Sequence, residues 1–333
     1  MMRTLNEKLI PLFSRKLFKE VEPLNTCCNR RAMNPMELDD KAPFSATPFK
    51  ISTITATGSI NADVDLKSLF EHLPIIAIDS SKQGVIFIEY GSSKNEVISR
   101  GAHYKKKPRQ QNSAVAKDHK RFDNQATMII KMTSEASYFV NAKMFKNGNV
   151  QMTGIKRIDD GVLAIGILIQ VIQEMLSETP SLNIVTSPEK MTNCNYEIRL
   201  INSDFRVNFE IKRELLHLCL TEHMGNKCTY EPCIYPGVKL QYFWNKHSAH
   251  PNGNCECVGG HCVGKGKGAT TNECKKITIA IFQSGCVIIT GASSEGQITE
   301  CYQYICNVLH DQMNHIKKRK FVPLSTPSHV ETK

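Results

Sequence analysis

Apolar and polar positions along the chain fall into two series with the same rhythm. Alternating stretches predict strands at Phe49–Thr57, Thr127–Met132, Tyr138–Phe145 and Asn149–Thr153. A second series follows at Tyr196–Ile201, Val238–Trp244, Ile277–Phe282 and Cys286–Thr290. Between and after them, Val64–Leu73, Gly161–Leu176, Phe209–Leu218 and Gln297–Leu309 read as helices. Each half therefore predicts strand, helix, strands and a long closing helix.

The halves also share a motif. Residues 145–154 read FKNGNVQMTG and residues 282–291 read FQSGCVIITG, both F-x-x-G-x4-T-G. Asn147-Gly148 and Ser284-Gly285 are hairpin turn signals, because these residues accept the positive φ of tight turns. Upstream, Asp65-Leu66-Lys67 and Glu210-Ile211-Lys212 repeat acid, apolar residue and Lys, with His72-Leu73 and His217-Leu218 at matched positions. Such an internal repeat predicts a pseudo-symmetric fold.

TYEPCIYPGVKLQYF (Thr229 to Phe243), followed after an insertion by ITIAIFQSGCVIITGA (Ile277 to Ala292), resembles the second repeat of the TATA-box-binding protein family. The resemblance covers roughly residues 48–180 and 195–312, strongly in the second repeat and more weakly in the first. The divergence and the insertions are most similar to the forms encoded by large DNA viruses. The resemblance implies an α+β saddle. Two pseudo-symmetric repeats would form one curved antiparallel sheet, with two long helices on the convex face and DNA on the concave one. The expected organisation is a disordered extension over 1–46 and a first repeat over 47–180 with a basic insertion around 79–124. A second repeat follows over 195–315 with a Cys-rich insertion over 246–276, and a basic and polar tail over 316–333.

A net charge of +10 suits a polyanionic partner. No apolar run reaches the length of a membrane span. Thirteen Cys without a secretory signal point to an intracellular, reducing compartment. The stretch from Arg100 to Arg121 holds eight Lys or Arg against Asp118 alone. It reads as an exposed loop, either a solvated insertion or an arm that contacts phosphates. No P-loop, G-x-S-x-G or H-E-x-x-H occurs, so nothing points to an enzyme.

In the family, each repeat supplies two aromatic wedges to the minor groove. The resemblance puts one beside each hairpin, at Phe145 and Phe282. The other hangs in a loop at the end of the saddle. That position is Tyr235 in the second repeat. In the first, the alignment gives Gln125, with Phe122 as the alternative wedge. The family's Asn at the groove centre is replaced by Lys50 and Leu200, the latter beside Arg199. Thr153 and Thr290 keep the family's Thr. Gln151 and Ile288 replace a small apolar residue, and Asn149 and Cys286 replace a Lys. Minor-groove readout depends on such contacts, so A·T preference is expected to weaken. Glu231 and Tyr235 match the end of the saddle where the family meets a general initiation factor.

The insertion HPNGNCECVGGHCVGKGKGATTNEC carries Cys255, Cys257, Cys262 and Cys274 as C-x-C-x4-C-x11-C, with His261 nearby. Four thiolates suit one structural Zn2+; the other reading is a flexible loop of reduced thiols. Cys219, Cys301 and Cys306 read as small buried apolar residues. At the start, Leu5, Leu9, Leu12, Phe13 and Leu17 form a short amphipathic stretch, and Met33 and Met36 offer alternative translation starts. The expectation is a transcription initiation factor that binds and bends duplex DNA, acts as a monomer on it and recruits initiation factors and RNA polymerase. Its place would be the nucleus or a viral replication compartment. The rival is a protein-interaction platform on the same fold without DNA binding.

Overall fold

The computed structural model describes residues 42–91, 97–103, 125–133, 137–248, 251–257, 262, 265–268 and 273–318. Phe122, His261, the amphipathic start, Met33, Met36 and nearly all of the basic stretch after Arg100 lie outside the described residues. The strands are β1 (Lys50–Ser59), β2 (Gly84–Tyr90), β3 (Ile98–Gly101), β4 (Gln125–Met132), β5 (Tyr138–Phe145) and β6 (Asn149–Ile155) in the first half. The second half holds β7 (Cys194–Arg206), β8 (Lys227–Thr229), β9 (Val238–Trp244), β10 (Lys275–Ile281) and β11 (Cys286–Ala292). They form one curved, open antiparallel sheet in the order β3-β2-β4-β5-β6-β1-β7-β11-β10-β9-β8. The fold is the expected α+β saddle. Its repeats meet where β1 pairs with β7.

Four helices follow the repeat, α1 (Leu66–His72) and α2 (Asp160–Glu178), then α3 (Arg213–Leu218) and α4 (Glu295–Asp311), with a short α5 (Met313–Ile316) after them. Asp65 caps α1 by accepting the Lys67 N–H, and its bond from the Ser68 hydroxyl chiefly lowers its pKa. Ser294 caps α4 by accepting from Gln297 N, while Gln297 Oε1 takes the Ser293 N–H at 2.8 Å. α2 buries Ala164, Ile165, Leu168 and Ile172 against the sheet. Each large aliphatic side chain so buried contributes about 1.5–3 kcal/mol.

One expectation needs correction here. α2 spans 19 residues with a mean hydropathy of 1.4, long and apolar enough to cross a membrane by length and composition. Half of that window is buried inside the fold. Its apolar character is explained by core packing.

The shared motif now has a physical reason. Gly148 N bonds Phe145 O at 2.9 Å, and Gly285 N bonds Phe282 O at 3.0 Å, closing the same turn in each repeat. Gly148 has φ +71 and Gly285 φ +77. A Cβ would stand 2.1 Å from Ala62 O at the first and 2.6 Å from Phe209 O at the second. Only glycine meets both demands. The second glycine of each copy, Gly154 or Gly291, lies where the ladder shifts register.

The sequence pattern gave no strand at β2, β3 or β8. β2 and β3 lie within 79–124. Val85, Ile86, Phe87 and Ile88 are all buried, so β2 shows no alternation. β3 also changes the meaning of Arg100. Its guanidinium donates to Phe70 O and, at 2.8 Å, to Glu71 O, tying β3 to α1.

Candidate nucleic-acid interface and metal cluster

Alternation decides which residues face away from the helices. Val140, Ala142, Met144, Val150 and Met152 belong to the core beneath α2. Phe139, Asn141, Lys143 and Phe145 on β5, and Asn149, Gln151 and Thr153 on β6, therefore share the opposite, concave face. In the second repeat the same face carries Cys286, Ile288 and Thr290, followed by Thr278, Ala280 and Phe282. Thr57 pairs with Gln151 and Asp204 with Ile288. The motif residues thus occupy equivalent places on one sheet.

The second-repeat aromatics come together. The Tyr235 and Phe282 rings lie 5.7 Å apart at 56°. Lys239 Nζ sits 4.0 Å from the Tyr235 ring centroid. Tyr235 and Glu231 belong to the β8–β9 loop, where Glu231 O accepts the Ile234 and Tyr235 N–H groups, each at 2.9 Å. Arg213 from α3 donates to Pro236 O and lies 5.4 Å from the Tyr230 ring centroid, which holds this loop to the body. In the first repeat, Phe145 borders a cleft of about 520 Å³ with Thr57, Asn147, Asn149 and Gln151. Gln125 stands opposite Phe145. Strand register makes it the counterpart of Gly237, not of Tyr235. The counterpart of Tyr235 falls at residue 123, outside the described residues.

At the centre, Ile54 pairs with Ile155 as Ile201 pairs with Ala292, and Thr55 with Thr153 as Asn202 with Thr290. Leu200 is then equivalent to Thr53, not to Lys50. Lys50 begins β1 opposite Asp204. Counting residues along the sequence missed this because both central strands bulge, β1 at Ser52 and β7 at Arg199. It also missed Asn202, whose side-chain oxygen accepts the Thr290 hydroxyl. Arg199 Nε donates to Thr57 Oγ1 at 2.9 Å, and its Nη1 pairs with Glu197 at 2.8 Å. Both carboxylates, Glu197 and Asp204, flank this strip.

Both ends of the concave face are partly covered, at equivalent places. In the first repeat Lys131 pairs with Phe139. Lys131 is 6% exposed, and its ammonium donates to Ile78 O at 2.8 Å and to Ser80 O. Ile76 packs with Phe139, Ile129, Ile86 and Phe87. In the second repeat Phe243 pairs with Lys276, and the cysteine insertion packs over Phe243.

That insertion brings Cys255, Cys257, Cys262 and Cys274 together, their sulfurs within 4.8 Å of one another. Cys255 lies 3.8 Å from Cys262 and 3.4 Å from Cys274, and Cys262 lies 3.0 Å from Cys274. Cys257 Sγ accepts the Cys274 N–H at 3.2 Å. Burial opposes ionisation of Cys262, but hydrogen bonds from Cys274 and the Gly266 N–H outweigh it and lower its pKa to about 6. Burial and the neighbouring sulfurs push Cys274 up. A tetrahedral zinc with Zn–S near ~2.3 Å keeps its sulfurs about 3.8 Å apart, so the four fit that ion with small adjustments. Elsewhere, Cys219 and Cys301 are buried and Cys306 half-buried, as small apolar residues would be.

The class of fold these features define is a two-repeat α+β saddle with matched aromatic hairpins. Residues 195–312 match the family described as Transcription factor TFIID (or TATA-binding protein, TBP). Over 282 residues the chain is 28% identical to a protein named TATA-box-binding protein-like from Acanthamoeba polyphaga mimivirus, covering 83% of this chain and 68% of that protein. Methanococcus jannaschii TBP, of known structure, is 16% identical with a TM-score of 0.40, covering 80% of this chain and 99% of that one. By these matches the chain is similar to the TATA-box-binding protein family, over residues 195–312 by the family model and over most of its length by the viral relative.

Proposed function

We propose that the protein is a transcription initiation factor that lies with its concave sheet in the minor groove of duplex DNA and bends it. Phe145 and Phe282 are the wedges, assisted by Tyr235 and by Phe122. The observation that carries this reading is the equivalent placement of Phe145 and Phe282 beside matched turns, on the face away from the helices. A pair of rings at two ends of one curved strip suits unstacking at two base steps, the means by which this family kinks DNA. Thr153, Thr290, Gln151, Ile288 and Arg199 form the floor between them, with Lys50 at its margin.

The floor lacks the family's pair of Asn at the groove centre. Thr53 and Leu200 hold the centre, and Glu197 and Asp204 repel phosphates. The protein therefore favours A·T-rich duplexes only modestly. It binds as a monomer, and the Glu231–Tyr235 loop engages an initiation factor and through it RNA polymerase. Its setting is the nucleus or a viral replication compartment. The two carboxylates also favour a second reading, an interaction platform without DNA binding.

Fluorescence-detected bending of A·T-rich and G·C-rich duplexes, at several salt concentrations, separates the two. Wild-type protein should bend both. Phe145→Ala and Phe282→Ala should reduce bending while leaving the melting temperature nearly unchanged. Capture of an initiation factor without any duplex binding at low salt would establish the platform instead.

A further inference from the structure

The two repeats differ where the sheet opens beside β7. The β7–β11 ladder ends at Ala292 opposite Ile201, and the preceding residues Glu197 to Arg199 line a cavity. In the first repeat the equivalent ladder ends at Ile155 opposite Ile54. There Lys156 reaches across, and its Nζ donates to Ser52 O at 2.6 Å. Strand register makes Ser293 the counterpart of Lys156, and Arg199 that of Ser52. Serine is too short to close the gap, and a cavity of about 600 Å³ remains.

Its wall carries Arg199, Lys246, Lys267 and Lys275 against two carboxylates, Glu197 and Glu273. Lys267 comes from the cysteine insertion. Lys265 N bonds Cys262 O at 2.7 Å, Gly268 N bonds Cys274 O at 3.0 Å, and Lys276 N bonds Gly266 O at 2.9 Å. The lysine segment is thus held against β10 between two of the clustered cysteines. Arg199 links the wall to the concave strip through Thr57.

We propose that this cavity binds one backbone phosphate of the duplex held by the sheet, and that metal binding by the four cysteines sets its affinity by fixing Lys267 in the wall. The inference rests on the DNA reading above. A duplex phosphate is favoured over an acidic peptide because Arg199, on the cavity wall, also donates to Thr57 on the strip on which the duplex lies. An excess of cations in a recess of this size suits a hydrated phosphodiester.

The test uses the full chain, the Lys246→Gln/Lys267→Gln variant and an A·T-rich duplex probe. The slope of log Kd against log salt should fall by about 1 in the variant, since one lost phosphate contact removes about 0.9. Bend angle should stay at the wild-type value. Chelation of the metal, or Cys255→Ser, should lower the slope similarly. An unchanged slope in the lysine variant, with normal bending, overturns this proposal and leaves the DNA reading standing. Absence of duplex binding by the wild type overturns both. A variant that keeps the slope but no longer captures a polyglutamate peptide assigns the cavity to a protein partner and also overturns the proposal.

Discussion

Cys255→Ser tests whether the insertion is held by a metal or is a loop of reduced thiols. Among the described sulfurs the separations of 3.0, 3.4 and 3.8 Å approach the about 3.8 Å of a tetrahedral zinc–thiolate site. Binding therefore needs sulfur movements below about 1 Å, and little of the binding energy is lost to rearrangement. At free zinc a thousandfold above Kd, linkage stabilises the folded chain by about 4 kcal/mol. At roughly 2–4 °C per kcal/mol for a domain of this size, the melting temperature should rise by about 8–16 °C over chelated protein. Phe243, 6% exposed beneath the cluster, couples that gain to the sheet. Cys255 is half-exposed, so serine there removes a ligand with little packing loss. The variant should melt at one temperature with or without zinc. Elemental analysis should give about one zinc per wild-type chain, and cobalt substitution should produce thiolate charge-transfer bands. Wild-type protein with no bound zinc, no cobalt–thiolate absorption and an unchanged melting temperature would refute the metal assignment.

Phe145→Ala and Phe282→Ala should each weaken duplex binding roughly ten- to hundredfold, about 1.4–2.8 kcal/mol, on titration with a bent-probe readout. Equal affinity with an unchanged bend would exclude these rings as wedges. Gly148→Ala should destabilise by roughly 2–4 kcal/mol, combining the left-handed backbone with a methyl forced onto Ala62 O. Gly166→Ala, where an added methyl meets nothing within 4 Å, is the opposite control and should stabilise α2 by about 0.5–1 kcal/mol. Equal melting temperatures for these two glycine variants would contradict the turn geometry. Lys131→Ala should cost about 1.5–3 kcal/mol and speed hydrogen exchange at Ile76, because its ammonium no longer holds the carbonyls of Ile78 and Ser80. Unaltered exchange there would mean that the covering loop is anchored by its apolar contacts alone.

Much of this protein is legible in the order of its residues. The two F-x-x-G-x4-T-G copies announce the repeat because each glycine answers a local backbone demand that recurs at matched hairpins. Alternation marks most strands, since half-buried strands must alternate. Four cysteines in a loop poor in apolar residues announce the cluster. β2 escaped because both its faces are buried, which erases alternation. β8 escaped because three residues carry no period. What tertiary structure alone decided are the relations across the sheet. Bulges at Ser52 and Arg199 make Thr53 the partner in symmetry of Leu200, a shift that counting along the sequence cannot reveal. The covering of Phe139 and Phe243 depends on loops folding back over the sheet. The cavity exists because Lys156 spans a gap that Ser293 cannot. Each of these is set by long-range packing between segments far apart in the chain, where local sequence carries no record of its neighbour.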